Sequence, residues 1–174
     1  MVALSLPPAP PAPLPLRWLG ALVDWTVIVI GATIAALVFF NVCLHLFSKD
    51  LAWVTELGEL LMVWVTFLGG AAAARRGNQM SITEFIDKFS PENRRWADVA
   101  VAGLCVVMLS ILVWYGWRLV MANWGNELTV LGWPMAIQYM GMAVGVTCML
   151  AFVGFDWWQA LRGVPRNVRY PESH

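Results

Sequence analysis

Four long apolar runs constrain the fold of this chain more than any other feature. They cover residues 25–48, 51–74, 99–117 and 128–155, and the charges inside them are Glu56 and Glu59. A membrane-spanning helix needs about 20 apolar residues, and a helix lets a single segment satisfy its own backbone in lipid. The chain is therefore predicted to be an all-α membrane protein with four transmembrane helices.

The composition argues against several other classes of protein. Hydrophobic residues make up 60% of the chain and charged residues 13%, whereas soluble domains are usually about one quarter charged. The formal net charge of zero supplies no basic surface for nucleic acid. Cys43, Cys105 and Cys148 are odd in number and lie in apolar runs, which is typical of buried thiols rather than of disulfides or a zinc site.

The sequence also gives no reason to expect an enzyme or a cofactor. It contains no glycine-rich phosphate loop, no metal-ligand constellation and no nucleophile–base pair. His45 and His174 are its two histidines, and a haem held between helices would need a second helical ligand besides His45. His45 is therefore interpreted as a hydrogen-bonded residue near a membrane surface.

The distribution of lysine and arginine predicts the orientation of the helices. With the N-terminus inside, nine of these residues fall on the cytoplasmic side, whereas Lys49 and Arg118 lie toward the outer side. Such an excess is the positive-inside pattern of membrane proteins. We therefore expect the N- and C-termini to be cytoplasmic.

The chain divides into three predicted parts. Residues 1–17, with six prolines, are expected to be a disordered cytoplasmic tail, residues 18–162 the four-helix transmembrane domain, and residues 163–174 a second cytoplasmic tail. Between the second and third helices, residues 82–89 carry apolar side chains at spacings of three and four. That spacing predicts a short amphipathic helix at the inner interface.

Tryptophans and prolines mark the predicted helix ends. Eight of the eleven tryptophans lie near these boundaries, as expected of aromatic belts at both membrane surfaces. Trp64, Trp114 and Trp117 lie deeper and are predicted to pack between helices. Pro91 and Pro134 are expected near the starts of the third and fourth helices, where a missing N–H is tolerated.

The two glutamates of the second run are candidate functional residues. Glu56 and Glu59 are three residues apart and share one helix face within two turns of the outer end. A carboxylate in hydrocarbon costs at least about 2.5 kcal/mol, so each acid needs protein, water or a cation. Three interpretations stay open: pairing with a partner helix, snorkelling to the outer surface, or an ion- or proton-coupling site.

Small residues form a second candidate contact surface. Residues 69–74 are all glycine or alanine, and Gly141-x-x-x-Gly145 repeats the pattern on the fourth helix. Small residues let helices approach closely, and such packing is much of what drives helix association in lipid. The sequence does not separate packing inside the chain from packing against another subunit.

One ordered set of residues runs through the first, second and fourth helices: Asn41-Val42, Trp53, Glu56-Leu57, Trp64, Phe67-Leu68-Gly69, Arg75 and Leu131-Gly132-Trp133-Pro134-Met135. In this order and spacing the set resembles the small membrane subunit of tripartite ATP-independent periplasmic (TRAP) transporters. The resemblance extends over about residues 22–160. That family commonly has Arg where His45 stands and His where Gln79 stands, so no charge-dependent role is carried over to these two positions.

The resemblance implies a scaffold subunit in a bacterial inner membrane. It implies a stable heterodimer with the large membrane subunit, which performs sodium-coupled uptake of an organic acid. A periplasmic substrate-binding protein would be a transient partner, and membrane lipid would cover the rest. The residues expected at the partner interface are Asn41, His45, Trp53, Glu56, Glu59, Trp64, Gly69, Gly70, Arg75, Gln79, Pro134, Gly141 and Gly145.

Two other functions stay open on the sequence alone. An autonomous four-helix proton-coupled transporter would also use an intramembrane glutamate, although it would need that acid deep in a cavity. A membrane-anchor subunit of a redox complex would need haem or quinone ligands, which two histidines do not supply.

Overall fold

Four long helices make up the structure, a computed structural model that describes residues 13–46, 51–76 and 91–164, with side chains described from Trp96 onward in the last range. The helices are α1 (Leu14–His45), α2 (Ala52–Arg75), α3 (Pro91–Ala122) and α4 (Ala136–Leu161). All four are long and apolar enough to cross a membrane, which confirms the prediction from the run lengths. Beyond a single antiparallel bridge between Glu127 and Pro134, the described ranges contain no strand.

Part of what the sequence predicts lies outside the described residues. This part comprises the amphipathic helix at residues 82–89, the side chain of Gln79, residues 1–12 of the proline-rich tail and the C-terminal tail from residue 165. The inside–outside orientation of the helices likewise stays a prediction.

Local sequence explains where the helices begin and end. α1 begins at Leu14 with Pro15 in its first turn, so the helix starts four residues before the predicted boundary at residue 18. α3 begins at Pro91, in agreement with the prediction. After α4, Gly163 adopts a φ of 80°, and backbone hydrogen bonds close the helix in a Schellman turn.

The helices lie in a row in the order α1, α2, α4, α3. α2 packs on α1 and on α4, α3 packs on the far side of α4, and α1 touches α4 only slightly. We call one end of this row the loop end, where residues 123–135 connect α3 to α4. The opposite end, where α2 finishes, is called the Arg75 end. A row one helix thick leaves both of its broad sides exposed, so its two outermost helices, α1 and α3, have no buried stretch of membrane length.

Glycines bring α2 and α4 into close contact. Three pairs of residues form it: Trp64 with Gly141, Phe67 with Gly145, and Gly70 with Met149. The pairs advance by three residues along α2 and by four along α4, so the two helices run parallel. This register is typical of helices that cross at about 20°. Gly141 and Gly145 therefore serve packing inside the chain.

Two tryptophans attach neighbouring helices to α4 in the same way. The indole N–H of Trp64 donates to the carbonyl of Ile137 at 3.0 Å, four residues before Gly141. The indole N–H of Trp157 donates to the carbonyl of Val99 on α3 at 3.1 Å, four residues before Gly103. A helical carbonyl already accepts the N–H four residues later. In both cases the residue four positions later is a glycine, which has no side chain to block the indole. The carbonyl can therefore accept the indole N–H in addition to the backbone N–H of that glycine.

The α2–α4 contact predicts a cost for one added methyl group. Gly145→Ala should lower the free energy of unfolding by about 1–3 kcal/mol, because its Cβ would lie 2.5 Å from Cβ of Phe67 and 2.8 Å from the backbone of that residue. The measurement is thermal unfolding of the purified chain in detergent, followed by circular dichroism. Gly69→Ala is the matched control, since nothing lies within 4 Å of the atom it would add. Equal unfolding temperatures for the two variants would contradict close packing at Gly145.

Candidate functional site

Glu56 is bound by the backbone of its own chain. Its Oε2 atom accepts hydrogen bonds from the N–H groups of Val130 at 2.9 Å and Leu131 at 2.6 Å. Both donors lie in the loop between α3 and α4, and hydrogen bonds to a charged acceptor are among the stronger ones in proteins. The carboxylate thus fastens the loop to the first turns of α2.

The loop is shaped to present these two N–H groups. The N–H of Leu128 donates to the carbonyl of Trp133 at 2.7 Å, and the N–H of Gly132 returns to the carbonyl of Leu128 at 3.1 Å. Gly132 has a φ of 64°, a left-handed conformation that glycine adopts without strain. With these groups paired inside the turn, the amides of Val130 and Leu131 are left for Glu56.

This pairing changes which acid requires a neighbour. From the sequence, Glu56 and Glu59 are both expected to meet another polypeptide. The structure supplies donors for Glu56 within the chain, whereas Glu59 is exposed and has no hydrogen-bonding or ionic partner among the described residues. A contact between Glu56 and another subunit stays a prediction, but the physical need for one now rests on Glu59.

Glu59 belongs to a face of α2 that no other described helix covers. We call it the open face of α2, and its members recur at spacings of three and four residues: Thr55, Glu59, Met62, Thr66, Gly69 and Ala73. All are exposed except Gly69, which is partly exposed. The hydroxyl of Thr66 donates to the carbonyl of Met62 at 2.7 Å and is therefore satisfied within its own helix.

The structure separates the two adjacent glycines of α2. A Cβ added at Gly70 would meet the end of the Met149 side chain at 2.9 Å, and Ala74, one turn later, is buried in a cluster that includes Val146 and Val153 of α4. Gly69 has nothing within 4 Å of the same position, and Ala73 is exposed. One small-residue row therefore packs within the chain, and the other lies on the open face.

At the Arg75 end, an ion pair joins α1 to α2. The guanidinium of Arg75 hydrogen-bonds the carboxylate of Asp24, and Arg76 approaches the other carboxylate oxygen at 3.4 Å. Gly20 makes room for this arrangement, because a Cβ there would lie 2.8 Å from Cδ of Arg75. Arg75 is thus held inside the chain, and its predicted contact with another subunit is untested.

Sequence reasoning missed Asp24, although a signal was present. Asp24 is the acid that borders the first apolar run, and the arginine pair ends the second. Two consecutive helices joined by a short connection run antiparallel, so these opposite charges arrive at the same end. The backbone donors of Val130 and Leu131 were missed as well, because an N–H group leaves no mark in a sequence.

The other predicted interface residues are scattered along the row. Asn41 is partly buried, and its Oδ1 atom is enclosed without a hydrogen-bond donor among the described residues. His45 is exposed as the last residue of α1, and Trp53 is 42% exposed in the first turn of α2. Pro134 is partly buried in the bridge to Glu127.

The predicted packing of three deep tryptophans holds for one of them. Trp64 lies between α2 and α4, as expected. Trp114 is 66% exposed and Trp117 is 38% exposed on α3, so neither is buried between helices of this chain, and their packing against a helix stays a prediction. Depth in a span predicts the surroundings of a residue poorly when the helices form a single row, because most faces then point outward.

The described part of the chain offers no metal site. Nowhere in it do three His, Cys, Asp or Glu side chains converge.

Comparison with known families decides where this arrangement belongs. The model for the DctQ component of tripartite ATP-independent periplasmic transporters matches residues 34–163, which includes the last third of α1 and all of α2, α3 and α4. The chain belongs to the DctQ family. A DctQ protein is a component of a transporter rather than an enzyme, and the match confirms the resemblance to the TRAP small subunit.

A relative supports the same assignment. The DctQ chain is 23% identical over 114 residues to a Haemophilus influenzae protein named as a TRAP transporter small permease. The similar region covers 65% of this chain and 71% of the relative. The chain is thus a multi-pass membrane protein of the TRAP small-subunit type. The range matched by the family includes Glu56, its loop and the α2–α4 contact, whereas Asp24 precedes it.

Removing the Glu56 carboxylate should release the loop of this DctQ protein. In Glu56→Ala, we expect the amides of Val130 and Leu131 to exchange hydrogen at least roughly tenfold faster, since a hydrogen bond to a charged group contributes about 1.5–3 kcal/mol. Hydrogen–deuterium exchange of the loop peptide measures this. Glu59→Ala is the control that removes an acid from the same helix. Unchanged protection of the loop in Glu56→Ala would contradict the assigned contact.

The Asp24 cluster predicts unequal coupling to its two arginines. A double-mutant cycle with Asp24→Asn and Arg75→Gln should give a coupling free energy of about 1–2 kcal/mol. The pair is partly buried, so its coupling should fall between that of an exposed salt bridge and that of a fully buried one. The cycle with Arg76→Gln should give less, since Arg76 is 61% exposed and more distant. Unfolding in mixed micelles supplies both free energies. A coupling to Arg76 equal to that of Arg75 would overturn the assignment of Arg75 as the main partner.

Proposed function

We propose that this DctQ chain is the scaffold subunit that binds the large membrane subunit of a TRAP transporter through the open face of α2. In this assembly the large subunit carries out sodium-coupled uptake of an organic acid that a periplasmic binding protein delivers. The small subunit takes no part in the chemistry of transport. It enlarges the static part of the complex, and it lies in a bacterial inner membrane with both termini in the cytoplasm.

One observation carries the choice of this face: an acid and a row of small residues remain uncovered on the same side of α2. Glu59 lies seven residues into the helix, about 10 Å from its first residue along the axis. A carboxylate at that depth is costly in hydrocarbon unless it finds a donor or a cation. A helix of the large subunit that carries such a group would satisfy it.

The small residues of the same face support the proposal independently. Gly69 and Ala73 lie toward the Arg75 end, so the face is polar near the loop end and nearly without side chains farther along. Small residues allow close approach of two backbones, which is the main source of helix association in lipid. A partner helix could therefore pack closely at Gly69 while it reaches Glu59 with a polar side chain.

The two other functions suggested by the sequence are less well supported. Of the two acids that an autonomous proton-coupled transporter could use, Glu56 is occupied by backbone donors of the loop. Glu59 faces outward rather than into an internal cavity. Membership in the DctQ family favours a transporter component over the anchor of a redox complex.

Co-purification tests the proposal. The tagged chain, produced together with the products of its neighbouring genes, should retain a large multi-span membrane protein in mild detergent. Gly69→Leu should lower the retained amount roughly tenfold, because added bulk that keeps the helices apart costs about 1–3 kcal/mol. Gly31→Leu is the matched control on α1, since a Cβ added there also meets nothing within 4 Å in this chain.

The two possible failures are distinguishable. If the unaltered chain retains no large membrane protein, the scaffold function is wrong. If the unaltered chain retains it and Gly69→Leu retains it equally well, the function stands and the assignment of the open face is wrong. Uptake by proteoliposomes that contain this chain alone would instead favour an autonomous transporter.

A further inference from the structure

A groove between α3 and α4 is not used by the contacts described so far. Its volume is about 530 Å³, and it is lined by one face of α3, from Ser110 to Met121, and by Leu150 of α4. Trp114 and Trp117 form part of its wall, which accounts for the exposure of these two tryptophans. The lining is otherwise largely apolar, apart from Ser110 and Arg118.

We propose that this groove binds a single phospholipid with an anionic headgroup, with an acyl chain lying along α3 and the phosphate held by Arg118. The proposal is independent of the docking of the large subunit. On the orientation predicted from the positive charges, the lipid would belong to the outer leaflet. The binding itself does not depend on that orientation.

The length of the groove matches an acyl chain. From Ser110 to Met121 the helix rises about 16 Å, and half of a bilayer core of about 30 Å is about 15 Å. The groove is therefore long enough to hold one acyl chain from the level of the headgroup toward the middle of the bilayer.

The charge in the groove lies where a headgroup would be. Arg118 is four residues before the end of α3 at the loop end, and Ser110 marks the deeper end of the groove. Within the described residues the guanidinium has no hydrogen bond or ion pair. A cation at this depth needs an anion or water, and a phosphate accepts the two parallel N–H groups that arginine presents.

Trp117 and Trp114 add to the same arrangement. Tryptophan is enriched at the level of lipid headgroups, where its ring is apolar and its N–H can reach a polar group. Both tryptophans line the same groove as Arg118. From Ser110 toward the loop end, the groove presents an apolar stretch, then the two tryptophans, then Arg118. These would meet the acyl chain, the glycerol and the phosphate of a phospholipid in turn.

Native mass spectrometry with phosphatidylglycerol tests the site. The purified full-length chain should bind this lipid, and Arg118→Gln should weaken the binding on the order of tenfold, the usual effect of losing a hydrogen bond to a charged group. Arg17→Gln removes one exposed cation outside the groove and should leave the affinity unchanged. Equal affinity of Arg118→Gln and the unaltered chain, or an equal loss in Arg17→Gln, would overturn the proposal.

A second variant tests the groove while keeping its charge. Ser110→Trp fills the deep end of the groove from an exposed position, so it should weaken phosphatidylglycerol binding although Arg118 is intact. Unchanged binding in this variant would overturn the placement of the acyl chain. A photo-crosslinking amino acid at Met121 in native membranes gives an independent readout. Cross-links to phospholipid support the proposal, and cross-links to a protein would show that a subunit covers the groove and would overturn it.

Discussion

The close contact between α2 and α4 is the interaction on which the rest of the structure depends. Lipid is as apolar as the side chains that leave it, so burying them against each other gives little net free energy, and complementary shape must hold the helices together. Trp64 and Phe67 supply bulk, and Gly141 and Gly145 supply the space for it. α1 and α3 then attach to the two sides of this pair, α1 by the Asp24–Arg75 ion pair and α3 by Trp157.

Polar groups in the spans are treated in two different ways. Glu56, Asp24 and the indoles of Trp64 and Trp157 all find partners inside the chain, and each of these contacts joins two elements that are distant in sequence. Glu59 and Arg118 find none among the described residues, and both face outward. The first group fixes the row of helices, and the second group indicates where the chain meets its surroundings.

Span number and helix bounds could be predicted from the sequence because hydropathy is a local property. Pairing was harder. Gly69 and Gly70 are adjacent and chemically identical, yet a rotation of about 100° per residue sends one to the open face and the other to α4. The backbone donors to Glu56 were invisible, since every residue but proline has an N–H group. The exposure of Trp114 and Trp117 within this chain could not be predicted, because depth says nothing about the direction in which a side chain points.

The Glu56 contact has a consequence for how the protein is made. Val130 follows Glu56 by 74 residues, and chains are synthesised from the N-terminus. The second span therefore enters the bilayer with its carboxylate unsatisfied and keeps it so until the third span has crossed and the loop behind it has emerged on the same side. Translocation of that loop completes the fold, and a chain truncated before residue 130 would keep the whole of α2 but leave the carboxylate of Glu56 without its two backbone donors.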